Sequence, residues 1–408
     1  MSWWKNQKLY IKILIGVVLG IIFGLTFGDK ISFLNPIGEI FLRLLQVIIV
    51  PVVFFSLISG MTQLGNIEKL KTIGLKTVFF YAITGLISTV IGISTAMFFA
   101  PGKNQEAVQE SLQNITTTTH KEFNFNFVDT FVDWFPRNAI EAMASGNMLQ
   151  IIIFTILVGL ALISLGERAK KMVDLFHIGA DMSIRLAGII ISFAPYGIFA
   201  LMATATAKFG SDFILQGIKY VLADMVGLLI LLVIVYPILI LLFTRFSPIS
   251  FYKKVSPAMV MAASTTSSSA TLPTSMTVAR ENLKIPESLY GFTLPLGATI
   301  NMNGMSVVLG VIAIFAANVH GVDITLEFLI TTVFLGIFLG AGTAGVKGAD
   351  IIMASVLLTT LGFPLTLLPI IAALSPLLDM GHTVCNITGD LVGTCIVDKT
   401  EQDKQVKS

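Results

Sequence analysis

Near the C-terminus, six polar side chains interrupt an apolar run at a spacing that puts them on one helical face. Ser375, Asp379, His382, Thr383, Asn386 and Asp390 repeat at intervals of three, four and seven residues, close to the 3.6-residue period. No lysine or arginine lies between 367 and 398. Carboxylates in apolar surroundings must find a cation, a donor or water. The missing positive charge must come from outside this helix, and a metal ion and a substrate ammonium are the natural suppliers.

A second cluster points the same way. Residues 261–279 crowd serines and threonines, including Thr266, Ser267, Ser268 and Ser269, into a charge-free stretch that also holds Pro273. Hydroxyls compete for backbone hydrogen bonds and proline removes a donor, so this segment should enter apolar surroundings, turn and leave. Its tip is a candidate binding site, because irregular backbone at membrane depth survives only where protein or a polar cavity satisfies it. Asn301 and Asn303 stand two apart, a spacing that a regular helix aims at different faces. Both can serve one site only if the chain unwinds between Gly297 and Gly304.

The elements that must hold these groups are membrane helices. Of 408 residues, 55% are hydrophobic and 12% charged, and the mean hydropathy is +0.86. A net charge of +2 gives no reason to expect nucleic acid. Cys385 and Cys395 fall ten apart on one expected helix, which rules out a disulfide framework. The first apolar run ends at Gly28-Asp29-Lys30 without a small-residue cleavage pattern, so a retained helix is expected.

Apolar stretches long enough to span fall at about 9–28, 35–64, 72–100, 149–166, 174–206 and 216–244. Lysines and arginines at 5, 8, 69, 71, 76, 168, 170, 171, 245, 253 and 254 mark the cytoplasmic side, and 101–126 reads as an external loop. Beyond 250, small and polar residues break the apolar segments into four pieces. These are a hairpin at about 253–281, a helix at 285–318, a second hairpin at 325–365 and a helix at 367–398. Hairpin plus helix, twice over, is the pattern of an inverted repeat around a midplane site.

Five motifs carry a resemblance: Ser267-Ser-Ser-Ala-Thr-Leu-Pro273, Pro295-Leu-Gly-Ala-Thr-Ile-Asn301, Asn301-Met-Asn-Gly304, Gly342-Thr-Ala-Gly-Val346 and Asp379-Met-Gly-His-Thr-Val-Cys-Asn-Ile-Thr-Gly-Asp390. With Arg43-Leu-Leu-Gln-Val-Ile-Ile-Val-Pro-Val-Val-Phe54 they resemble the dicarboxylate/amino acid:cation symporter family over nearly the whole chain. The resemblance implies an all-α membrane protein with eight transmembrane helices, two re-entrant hairpins and inverted repeats. It also implies a homotrimer in the cell membrane, working as an elevator with both termini cytoplasmic. Scaffold helices one and two would occupy 1–70, transport helix three and the external loop 71–126, and scaffold helices four and five 127–215. Helix six would follow at 216–250, the first hairpin at 251–284, broken helix seven at 285–322 and the second hairpin at 323–366. Helix eight at 367–398 and a tail at 399–408 complete the layout.

By the same resemblance, Asp379 would hold a substrate ammonium, while Asn386 and Ser268–Ser269 hold its α-carboxylate. Thr266, Ser267, Met302, Ala344, Gly345, Val346, Asp350, His382 and Thr383 would line the same pocket. One sodium ion would bind Asp390 with carbonyls of Gly297, Asn301 and Asn386. A second would take Thr299 with carbonyls of Gly340, Ala341 and Thr343. A third, made of Tyr81, Thr84 and Asn303, is weakened because an amide stands where the family has a carboxylate and Gly85 where it has a hydroxyl.

Departures from the family bear on the substrate. His382 occupies the position of the arginine that grips a side-chain carboxylate in acidic amino acid transporters, and Ser375 that of the arginine's acidic neighbour. Other family arginines are replaced by Thr266 and Met380. The expectation is therefore sodium symport of a small neutral amino acid such as serine, threonine or alanine, with two sodium ions and no enzymatic activity. An acidic amino acid or dicarboxylate held by a protonated His382 is the alternative. A serine hydrolase using Ser267–Ser269 with His382, or a passive channel, would need an oriented nucleophile or a continuous polar path.

Overall fold

The computed structural model describes residues 7, 9–62, 73–103, 132, 135–146, 148–209, 212–343 and 349–407, and among these it is helical throughout, without strands. Helices α1 (Leu9–Phe27), α2 (Asn35–Thr62), α3 (Leu75–Phe99), α4 (Ala139–Ser145), α5 (Met148–Leu165), α6 (Lys170–Ser192), α7 (Ala194–Phe209) and α8 (Asp212–Ile230) come first. Then follow α9 (Tyr236–Phe243), α10 (Pro248–Thr265), α11 (Ser268–Val278), α12 (Glu287–Ile300), α13 (Asn303–His320), α14 (Leu326–Ala341), α15 (Ala349–Thr360) and α16 (Leu368–Lys407). Runs at Leu75–Phe99, Gln150–Ile190, Leu215–Phe243, Glu287–His320 and Leu368–Asp403 are long and apolar enough to cross a membrane. The chain is a multi-pass membrane protein.

Two sets of helices pack mainly among themselves. In one, α2 is covered by α5, α6 and α7, and α7 lies along α1. That approach is close: a Cβ on Gly16, Gly20 or Gly24 would lie 2.5, 2.8 and 2.5 Å from the carbonyl oxygens of Pro195, Phe199 and Ala203. Small residues at a four-residue spacing let the two backbones touch where lipid gives no hydrophobic drive. In the other set, α13 is central, packed on α3, α8, α14, α15 and α16 and buried on nearly every face. Ser88 and Thr89 on α3 donate to carbonyls four residues back, so hydroxyls in an apolar helix satisfy themselves.

Two departures from the sequence reading, and one irregularity inside an expected span, have local causes. The single span expected at 174–206 is two helices, α6 and α7, turned at Phe193. Pro195 has no N–H to continue the ladder, and the amides of Tyr196 and Gly197 cap onto the Phe193 carbonyl instead. The stretch at 216–244 is a span as expected, Leu215–Phe243, with an irregularity inside it. It carries buried Asp224 and a π segment at Leu231–Val235 ahead of Pro237, where the ladder loses a donor. Tyr252 of α10 donates its hydroxyl to the Leu232 carbonyl in that segment. The tail from 399 continues α16 as helix, supported by Lys399 to Asp403 and Gln402 to Asp398. Its end is tied to the start of α3 by Lys76 Nζ to Glu401 at 2.5 Å, and Arg245 lies 3.7 Å from Asp398.

Candidate functional site

The polar face of α16 meets a break in the helix before it. α12 stops at Ile300, α13 starts at Asn303, and Asn301 and Met302 between them leave helical geometry, with φ, ψ of −95°, 79° and −107°, 60°. The break is held from α16. Asn386 Oδ1 accepts the Gly304 amide at 2.8 Å, and its Nδ2 reaches Met302 Sδ at 3.2 Å. Gly304 cannot be larger, because a Cβ there would lie 2.5 Å from the His382 Cα and carbonyl oxygen.

α10 and α11 pack together and turn at Thr266–Ser267. Thr266 sits in the left-handed region at φ 49°, an uncommon choice for a β-branched residue, and Ser267 caps α11 by accepting the Ala270 amide at 3.2 Å. Pro273 does not make the turn; it lies inside α11. Thr271 satisfies itself on the Ser267 carbonyl at 2.8 Å.

These parts enclose a small pocket lined by Thr266, Ser267, Ser268, Met302, Thr343, Asp350, Asp379, His382, Thr383 and Asn386, with Met305 and Ala349. Most residues expected around a substrate are thus brought together. Ser269 is not: it is exposed on α11 and absent from the lining. Ala344, Gly345 and Val346 lie outside the described residues, as does most of the expected external loop, from 104 to 126.

Among the described residues no arginine or lysine lines the pocket. At one end Asp350, in the first turn of α15, accepts the Ile351 amide at 3.0 Å and the hydroxyl of Ser375. Beside it His382 Nε2 lies 2.9 Å from Asp224 Oδ2 across from α8, both side chains being almost wholly buried. Sequence reasoning missed Asp224. The signal was there, since an acid within a long apolar helix is costly, but a single residue gives no spacing pattern. Among the described residues His382 Nδ1 has no hydrogen-bond partner, so none of their serines is aligned with it as a nucleophile would be.

Asp390 lies one turn beyond Asn386 on α16. Its Oδ1 accepts Asn301 Nδ2 at 2.8 Å, and a Cβ on Gly297 would collide with this carboxylate and lie 2.6 Å from the Tyr81 hydroxyl. The Asn301 side-chain oxygen is buried without a partner among the described residues. Carboxylate, orphan amide oxygen and unwound backbone form a hard-oxygen set suited to a sodium ion. Asn303 donates to Tyr236, whose hydroxyl donates to the Cys385 carbonyl at 2.9 Å. Tyr81 donates to the Thr293 carbonyl at 3.0 Å and Thr84 to those of Phe80 and Tyr81. Thr299 donates to Pro295, and Thr343 to Leu339 beside Gly340 and Ala341 at the end of α14. Cys385 and Cys395 are buried and free.

A helical membrane protein with a buried polar pocket at a helix break has the form of a transporter. Residues 9–400 match the model of the sodium:dicarboxylate symporter family, and the chain belongs to that family. It is 31% identical to a proton/sodium-glutamate symport protein of Geobacillus stearothermophilus over 373 residues, 91% of this chain and 88% of the relative. It is 28% identical to a proton/glutamate-aspartate symporter of Escherichia coli, covering 91% and 86%. Similarity to a neutral amino acid transporter B(0) of Oryctolagus cuniculus is 29%, covering 91% and 75%.

Proposed function

We propose that this protein is a sodium-coupled symporter of a small neutral amino acid of the serine, threonine or alanine class, with Asp379 holding the substrate ammonium. The observation that carries this reading is the charge of the pocket. Asp224, Asp350 and Asp379 surround His382, and among the described residues no arginine or lysine lines the cavity. A second carboxylate on the substrate would meet acids rather than a bidentate cation. The acidic amino acid reading is weaker for the same reason: a protonated His382 is already met by Asp224 at 2.9 Å.

Two sodium ions accompany each substrate in this proposal. Asp390, Asn301, Asn386 and Gly297 supply one site, and Thr299 with Gly340, Ala341 and Thr343 the second. A third, at Tyr81, Thr84 and Asn303, is weak because the Asn303 side-chain oxygen is a neutral ligand. The chain would act as a trimer in the cell membrane by an elevator movement, with both termini cytoplasmic. Competition of labelled serine uptake by a panel of amino acids in proteoliposomes tests the substrate class. Threonine and alanine should compete, and stronger competition by aspartate or glutamate would overturn it.

A further inference from the structure

The same pocket presents a second kind of binding group. One ring nitrogen of His382 and one carboxylate oxygen each from Asp350 and Asp379 lie within 4.8 Å of one another. Nε2 of that ring is engaged by Asp224 at 2.9 Å, whereas Nδ1 is buried and has no hydrogen-bond partner among the described residues, in a residue only 2% exposed. A histidine oriented through one nitrogen by a buried carboxylate, its other nitrogen left over and its ring next to two more carboxylates, resembles the arrangement by which proteins bind transition metals.

We propose that the pocket binds a divalent transition-metal ion of the Zn²⁺ class through His382 Nδ1, Asp350 and Asp379, with Asp224 as outer partner, and that the ion and the amino acid exclude each other. The donor set of one imidazole nitrogen and two carboxylate oxygens leaves a fourth position for water, as in open zinc sites. Tetrahedral ligands at about 2.0–2.2 Å stand roughly 3.4 Å apart, so the three side chains need close by only about an ångström. Sodium has no comparable claim on this place, because an imidazole nitrogen favours a borderline metal over a hard one. Exclusion follows from the shared use of Asp379. It rests on the proposed role of Asp379 in holding the substrate; the metal site itself does not.

The purified full-length protein, stripped of metal, is titrated with Zn²⁺ alone against a chromophoric chelator. One ion per chain is expected, with an X-ray absorption edge showing one nitrogen and otherwise oxygen neighbours. His382→Gln should abolish that equivalent, Asp224→Asn should weaken it by about 10- to 100-fold, and His320→Gln should leave it unchanged. Monodispersity in size-exclusion chromatography separates loss of ligand from loss of fold. Absence of a stoichiometric ion in wild type overturns the proposal. So does binding that survives both His382→Gln and Asp224→Asn. Serine uptake in chelator-treated vesicles reads the transport proposal by itself, so zinc binding without serine transport would sink that proposal and leave the metal site standing.

Discussion

Asn301, at the break between α12 and α13, donates to Asp390 on α16 at 2.8 Å, linking an unwound backbone to a buried carboxylate. The amide approaches one carboxylate oxygen and keeps its own oxygen unpartnered. Asp390→Asn should retain the helix contact but remove the charge that a sodium ion needs. Half-saturating sodium for uptake should rise at least about tenfold, equivalent to ~1.4 kcal/mol. An unchanged sodium dependence would move the ion elsewhere.

Gly297→Ala attacks the same site from the opposite side. The added methyl group meets the Asp390 carboxylate and the Tyr81 hydroxyl, both of which must move. Sodium affinity should fall while the pocket around Asp379 keeps its substrate preference, seen as an unaltered competition order at saturating sodium.

Gly304→Ala is a test of packing. Its methyl group would face the backbone of His382 at 2.5 Å, and backbone cannot swing aside as a flexible side chain can. Overpacking of this kind costs about 1–3 kcal/mol, so thermal unfolding in detergent should shift downward. A variant as stable as wild type would mean that the α13–α16 crossing is looser than described.

Thr266→Gly should act in the opposite sense. Thr266 holds φ 49° at the turn between α10 and α11, a region that costs a non-glycine residue about 1–2 kcal/mol. Glycine relieves that strain, and the variant should melt higher even if transport slows through loss of a pocket side chain.

His382→Arg places a permanent cation among Asp224, Asp350 and Asp379. The ratio of aspartate to serine uptake should rise by about tenfold or more, because a charge-matched partner replaces an acid-lined wall. A ratio that does not move would show that this end of the pocket does not read the substrate side chain.

The stripe on α16 was legible because six polar residues repeat with the helical period, and the break at Asn301–Met302 because two asparagines stood in register only without a helix. Asp224 was not, since its meaning lies in a contact with His382, 158 residues away, that no local pattern encodes. The hydroxyl cluster and Pro273 announced a turn in 261–279 without fixing its residue, which is Thr266. Inside a hydroxyl-rich helix the proline was accommodated, and the left-handed position fell on a threonine, a residue type that gives no turn signal. At 174–206 the apolar run concealed the turn that Pro195 imposes, because hydropathy reports burial in lipid and not direction.

The most direct test is accumulation of labelled serine in proteoliposomes holding the purified protein, with an inward sodium gradient and with choline in its place. Uptake above equilibrium with sodium, none with choline, and none with sodium after Asp379→Asn is the predicted result. Equal uptake in choline, or accumulation unaffected by Asp379→Asn, would contradict it.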